Sequence, residues 1–237
     1  MKGVFNMEYF MMNGNFNYTF IFLIIPLLIG ILAQINVTSK YKKYSKISNS
    51  RNMTASQAVY RILQQHGVSD VKIEPIRGNL TDNYNPKEKA IRLSEGVYNS
   101  TSIAAIGIAA HEAGHAIQYN QGYFPIKIRN TILPIANIGS FIAIPLAILG
   151  YAIEFLYLID IGIILFSAVC LFQLITLPVE INASRRAIRI LTESDILYGE
   201  ELNGAKKVLL AAALTYIAAL ATSVLTLLRL LFLRNRR

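Results

Sequence analysis

The sequence predicts a mainly α-helical membrane protein in which four transmembrane helices carry a small polar α+β insertion. Three observations point there. The 237-residue chain is 54% hydrophobic and 16% charged, against roughly 25% charged in soluble domains, with a mean hydropathy of +0.42. Four stretches carry no charge: Tyr9–Ser39, Asn130–Ile153, Ile161–Val179 and Val208–Leu228, of 31, 24, 19 and 21 residues. The remaining polar chain lies mostly in two blocks, 40–129 and 180–207, too little to wrap four apolar helices. This balance excludes a disordered chain. The single cysteine, Cys170, excludes an internal disulfide and reads as a small packed hydrophobe in mid-span.

A helix needs about 20 mainly apolar residues to cross the hydrocarbon core, which places spans near Tyr18–Val37, Ile132–Ile153, Phe155–Leu177 and Val208–Leu228. The chain then divides into an N-terminal segment with the first span (1–39), a polar subdomain (40–129), a transmembrane hairpin turning around Glu154 and Asp160 (130–179), a second polar segment (180–207), and the fourth span with a basic tail (208–237). The first span reads as an uncleaved anchor. Its lead holds only Lys2 and Glu8, Pro26 interrupts its apolar run, and no clean small-x-small site follows.

The net charge of +9 is distributed along the membrane boundary. Lys40, Lys42, Lys43, Lys46 and Arg51 follow the first span, Lys127 and Arg129 precede the second, and Arg185, Arg186, Arg189, Lys206 and Lys207 lie between the third and fourth. Four spans put all of these on one side, and the positive-inside rule makes that side cytoplasmic. The basic tail of Arg234, Arg236 and Arg237 runs against the rule. The expectation is a multi-pass protein of the cell membrane whose basic residues meet anionic lipid headgroups, with no nucleic-acid partner.

Within 40–129, Thr54-Ala55-Ser56-Gln57 is a capping-box pattern. Ala58, Val59, Ile62 and Leu63 follow at helical spacing, and Gly67 ends the run. Val71, Ile73 and Ile76 alternate as in a strand. Asn83-Tyr84-Asn85-Pro86 reads as a turn, and Lys89–Leu93 alternates again. Ser100, Thr101 or Ser102 caps a helix reaching about Tyr119, with Gly122 and Pro125 beyond. Its first half, Ile103–Ala110, is small and apolar but shorter than a span, so it reads as a packed helix.

That helix carries His111-Glu112-Ala113-Gly114-His115, an HExxH motif. Residues i and i+4 share a helix face, so both imidazoles can converge on one Zn²⁺. Glu112 stands beside them, within reach of a metal-activated water, as a general base. Two surface histidines would sit badly in such apolar surroundings. Catalytic zinc sites commonly have a third protein ligand. His66 reads instead as a histidine favoured by the last turn of its helix. Glu180, directly after the third span and on the same membrane side, is the better candidate. The residues alone leave it either a ligand or an interfacial carboxylate paired with Arg185 or Arg186.

The chain resembles the YugP-type membrane zinc metallopeptidases (neutral zinc metallopeptidase, zinc peptidase family 2). The resemblance runs through Gly78–Tyr84, Ala90–Ser94, Ala110–Ala116, Leu177–Arg186 and Ala212–Tyr216. It implies a zincin-like, gluzincin-like site with His111, His115 and Glu180 on zinc and Glu112 as base. It is more distantly similar to HtpX-type membrane proteases with cytoplasmic active sites. Gluzincins generally carry an acidic residue four positions after the ligand glutamate, where this chain has Ser184. That leaves Ser184, Asn182 or a water to support a ligand histidine.

The expected function is therefore hydrolysis of peptide bonds in membrane or membrane-associated polypeptides at the cytoplasmic face. The Ala90–Leu93 strand either holds extended substrate or only packs. Arg185, Tyr119 and Tyr198 are equal candidates for the oxyanion donor. Two rival readings remain: a site-2-type intramembrane protease using Asp160, and a non-catalytic adaptor that keeps zinc for structure, against which intact Glu112 argues. Oligomeric state cannot be read from the chain.

Overall fold

The computed structural model describes residues 15–235; the charged N-terminal lead, Arg236 and Arg237 lie outside them. In chain order the elements are α1 (Asn15–Tyr44), α2 (Ala55–Gln65), β1 (Lys72–Ile76), β2 (Asn83–Asn85), β3 (Ala90–Ser94), α3 (Glu95–Tyr98), α4 (Ile103–Asn120), α5 (Phe124–Ala152), α6 (Leu156–Glu193) and α7 (Gly199–Asn235).

Among the described residues, α1, α5, α6 and α7 are long and apolar enough to cross a membrane, one for each charge-free stretch. Each helix extends beyond its predicted span. A charge-free window marks only the part that lipid can cover, whereas the helix continues wherever its polar side chains are paired or solvated. Thus α6 runs through Pro178 and Glu180 to Glu193.

The chain reverses between α5 and α6 at Glu154, whose φ is +59°. Their backbones then approach closely through small residues. A Cβ on Gly139 would lie 2.5 Å from the Leu165 carbonyl oxygen, and one on Gly162 would lie 2.7 Å from that of Ala143. Without a hydrophobic drive between helices in lipid, such close packing holds them together. Helix α7 packs on α6 and on α1, and α1 leaves residues such as Leu27 and Leu32 exposed.

The small insertion begins with α2. Its capping box is formed: Thr54 Oγ1 accepts from the Gln57 N–H at 3.3 Å, and Gln57 Oε1 accepts from the Thr54 N–H at 3.0 Å. Its apolar face, Ala58, Val59, Ile62 and Leu63, is buried. The three-stranded sheet has the order β1-β3-β2, with β1 parallel and β2 antiparallel to β3.

The turn expected at Asn83–Pro86 is displaced. Residues 83–85 pair with β3, and the reversal falls on 86–89, where the Asn85 side chain accepts from the Lys87 N–H at 3.0 Å. Side-chain mimicry of a turn explains the shift: Asn85 opens the turn from the last strand position. Strand β3 has a neighbour on each side, so the strand addition considered for Ala90–Leu93 is closed to it. The free edges belong to β1 and β2.

Helix α4 is the central element. Ser102 caps it, its Oγ accepting from the Ala105 N–H at 3.2 Å. It packs against α2, α6 and α7, so nearly all of Ile103–Ala110 is buried.

Candidate metal centre

Helix α4 brings His111, Glu112 and His115 against α6, which carries Glu180. The crossing is tight because Gly114 has no side chain: a Cβ there would lie 2.8 Å from the Ala183 carbonyl oxygen. Glu180 Oε2 lies 3.2 Å from His111 Nε2 and 3.4 Å from His115 Nε2. The two rings stand nearly perpendicular, at 83°, with centroids 4.7 Å apart. One donor atom from each residue falls within 4.8 Å of the others.

Glu180 is 3% exposed, and its second oxygen, Oε1, faces the Arg129 guanidinium at 3.9 Å. The alternative pairing with Arg185 or Arg186 is not formed: Arg185 is exposed, and Arg186 hydrogen-bonds Asn182 and Gln121.

The outer hydrogen bonds assign the protons. Arg186 Nε can only donate, and it lies 2.8 Å from Asn182 Oδ1, which fixes that atom as an acceptor. Gln118 Nε2, 2.9 Å from the same oxygen and 2.9 Å from the Val179 carbonyl, is then the amide nitrogen. Gln118 Oε1 must therefore accept from His115 Nδ1, 2.9 Å away. With its proton on Nδ1, His115 turns a bare Nε2 lone pair towards Glu180. Gln118 is fully buried and bridges α4 to α6 as it does so. Ser184 Oγ lies 3.1 Å from His111 Nδ1, so the position that departs from the gluzincin pattern still supports a ring. Asn182 acts one step further out, through Gln118.

The His115 lone pair, the His111 ring nitrogen and a Glu180 oxygen thus converge on one point. Such a convergence of buried donor atoms suits a shared cation. Burial opposes charge on His115, yet the adjacent Glu180 raises its pKa above the usual histidine range, so the pocket draws positive charge to the point where the three groups meet. The donor set suits Zn²⁺, which binds histidine nitrogen and carboxylate oxygen and in catalytic sites keeps one position open.

In front of these groups is a cavity of about 180 Å³. Its walls include Glu112, Asp82, Asn83, Tyr84, Tyr119, Ile126, Arg129 and Tyr216. Burial pushes the Glu112 carboxyl above the ordinary glutamate range, while His111 and His115 pull it back. Asp82 accepts from the N–H and hydroxyl of Ser94, tying the start of β2 to the end of β3.

Of the oxyanion candidates, Tyr119 lines the cavity, whereas Arg185 and Tyr198 do not; the Tyr198 hydroxyl bonds Ser50 at 3.1 Å. His66 lies outside the metal cluster, its Nδ1 2.9 Å from the Ile62 carbonyl. Asp160 pairs with Arg234 at 2.9 Å and is also outside the cluster.

A sequence profile of the family described as "Putative neutral zinc metallopeptidase" matches residues 19–235. The chain belongs to this family. It is 47% identical over 220 residues to "Putative membrane protease YugP" of Bacillus subtilis (strain 168), covering 92% of this chain and 98% of that one. No solved structure matches it. Family membership implies zinc, and His111, His115 and Glu180 are the group among the described residues that could hold it. Together with the four apolar helices, it indicates a multi-pass membrane protein with a protease function.

Proposed function

We propose that this protein is a zinc-dependent endopeptidase that cleaves membrane or membrane-associated polypeptides at the cytoplasmic face of the cell membrane. One observation carries the reading: a buried glutamate, Glu112, lines one cavity together with two imidazoles that converge with a third donor, Glu180. When bound, zinc supplies Lewis acidity that polarises a peptide carbonyl and lowers the pKa of a coordinated water.

His111, His115 and Glu180 would hold the ion, with Ser184 and Gln118 fixing the rings. Glu112 takes a proton from the attacking water and returns it to the leaving amine. Its raised pKa suits both steps, since a carboxyl nearer neutrality accepts and releases a proton with less bias. The free edge of β2, whose Asn83 and Tyr84 line the cavity, offers backbone groups to an extended substrate. The cytoplasmic assignment rests on the twelve basic residues that four spans place on the side of the site.

The test is Glu112→Gln in the full-length protein, reconstituted and assayed on fluorescent casein. Zinc stoichiometry should match wild type while hydrolysis falls by about 10²–10⁴-fold. Undiminished hydrolysis would remove Glu112 from the chemistry.

A further inference from the structure

A peptide carbonyl under attack needs a donor for the oxygen that gains charge, and the mechanism above leaves that donor unnamed. The cavity presents three tyrosines and one arginine. The Tyr119 hydroxyl accepts from the Asn130 amide, which ties it to α5, and its ring packs on Tyr84 with centroids 5.4 Å apart. That pairing sets Tyr119 beside β2. Arg129 lies over the Phe172 ring, with its guanidinium carbon 5.9 Å from the ring centroid, and faces Glu180 Oε1 at 3.9 Å.

Tyr216 is different. It comes from α7, lines the cavity together with both histidines and Glu112, and its hydroxyl interacts with the Glu180 carboxylate. Its donor is thus directed at the metal-binding group itself. Once a divalent cation and Arg129 share the charge of Glu180, the Tyr216 hydroxyl is no longer needed there and can turn to the substrate oxygen beside it.

We propose, building on the peptidase reading, that Tyr216 is a catalytic residue whose hydroxyl donates to the carbonyl oxygen of the scissile bond as that oxygen becomes negatively charged. No covalent bond to the tyrosine forms, and its proton stays on the phenol. The guanidinium of Arg129, 3.9 Å from Glu180 Oε1, adds positive field where charge develops. Base and electrophile therefore come from different layers of the molecule: Glu112 from the insertion, Tyr216 from a membrane helix.

The test is Tyr216→Phe in the reconstituted full-length protein, with Glu112→Gln beside it. Fluorescent casein gives kcat and KM, metal analysis gives zinc content, and a phosphinic pseudopeptide mimics the tetrahedral state. The expected result is a fall in kcat of about 10²–10³-fold, the size typical of a lost oxyanion donor. KM should stay within about threefold, zinc content should be unchanged, and the phosphinic peptide should bind more weakly by a factor comparable to the fall in kcat. A wild-type kcat in Tyr216→Phe overturns the assignment, and so does zinc loss in step with activity, which would make the hydroxyl only a support for Glu180. A wild type no more active than Glu112→Gln would reject the peptidase reading and this assignment with it.

Discussion

Gly114→Ala tests the geometry on which the metal site stands. The added Cβ would meet the Ala183 carbonyl oxygen at 2.8 Å and the Ala183 carbonyl carbon at 3.4 Å. Both belong to the backbone of α6, so no side chain can swing away. To reach an ordinary contact, α4 and α6 must part by roughly half an ångström. Overpacking of this kind costs about 1–3 kcal/mol, and the better helix propensity of alanine offsets at most about 1 kcal/mol. The larger effect is on the metal. The histidines ride on α4 and Glu180 on α6, while metal–donor distances tolerate about ±0.2 Å. Zinc affinity should therefore fall by about 10–100-fold, the scale seen when ligand positioning is lost. The assay is chelator competition on the purified full-length protein. Gly107→Ala is the control: its Cβ would sit 3.3 Å from the Ala205 Cβ, a milder contact made to α7 instead of α6, and zinc affinity should change by no more than about threefold. Wild-type zinc affinity in Gly114→Ala would refute the claim that this contact sets the distance between the ligands.

Gln118→Met keeps the side chain's length but removes the acceptor at His115 Nδ1 and both bridges to α6; zinc affinity measured by the same competition should fall about 10–100-fold, and an unchanged value would count against the proton assignment made here. Combined with Gly114→Ala it should be strongly non-additive, because helices already forced apart cannot form the Gln118 bridges; additive losses in the double-mutant cycle would show the two devices to be independent. Asp82 supplies a pH test: burial raises its pKa above the ordinary aspartate value, although Ser94 opposes the shift. The folded state then holds this proton to higher pH than the unfolded chain does, so its contribution to stability is full below the unfolded pKa and is lost as pH rises through the folded one. Asp82→Asn should flatten the part of the melting-temperature profile that lies above the ordinary aspartate pKa, and a wild type that gains stability over the variant as pH rises there would contradict the assignment.

Features with a local cause were readable in the chain. Charge-free length exposed the four apolar helices, the Thr54 capping box marked the start of α2, and the four-residue spacing of His111 and His115 announced a shared face. Expecting Glu180 beside the histidines needed the family resemblance, since nothing local separates a candidate ligand from an interfacial carboxylate. Strand β2 was hidden because three residues cannot display an alternation, and its asparagines carry a turn signal that belongs to the next four positions. Gln118, Arg129 and Tyr216 take their meaning from partners 50 or more residues away in sequence, such as Val179 and Glu180 or, for Tyr216, His111 and Glu112 across the same cavity. A faint mark existed for Gln118, a polar residue three positions after His115 on a helix that is otherwise apolar and buried. Arg129 read only as a flanking charge of the second span, and Tyr216 as one residue of the Ala212–Tyr216 segment with no role attached.

Residues 40–129, which hold HExxH, carry only part of the proposed centre. They supply two imidazoles, the base, the β2 edge and Arg129. They lack the carboxylate that completes the donor set, both acceptors that orient Gln118, the Ser184 hydroxyl behind His111, and Tyr216. All of these belong to α6 and α7, the helices that also carry the third and fourth apolar stretches. The electrostatics run the same way. A carboxylate as buried as Glu180 is strongly disfavoured without a counter-charge, so the membrane helices position a group that is stable only when the α4 histidines and a cation, or Arg129, are present. A cation shared by the three donors would in turn be held only when α4 lies against α6. Metal binding and the docking of the insertion onto the membrane helices are thus one equilibrium viewed from two sides, and the closeness allowed by Gly114 is the geometric condition for both.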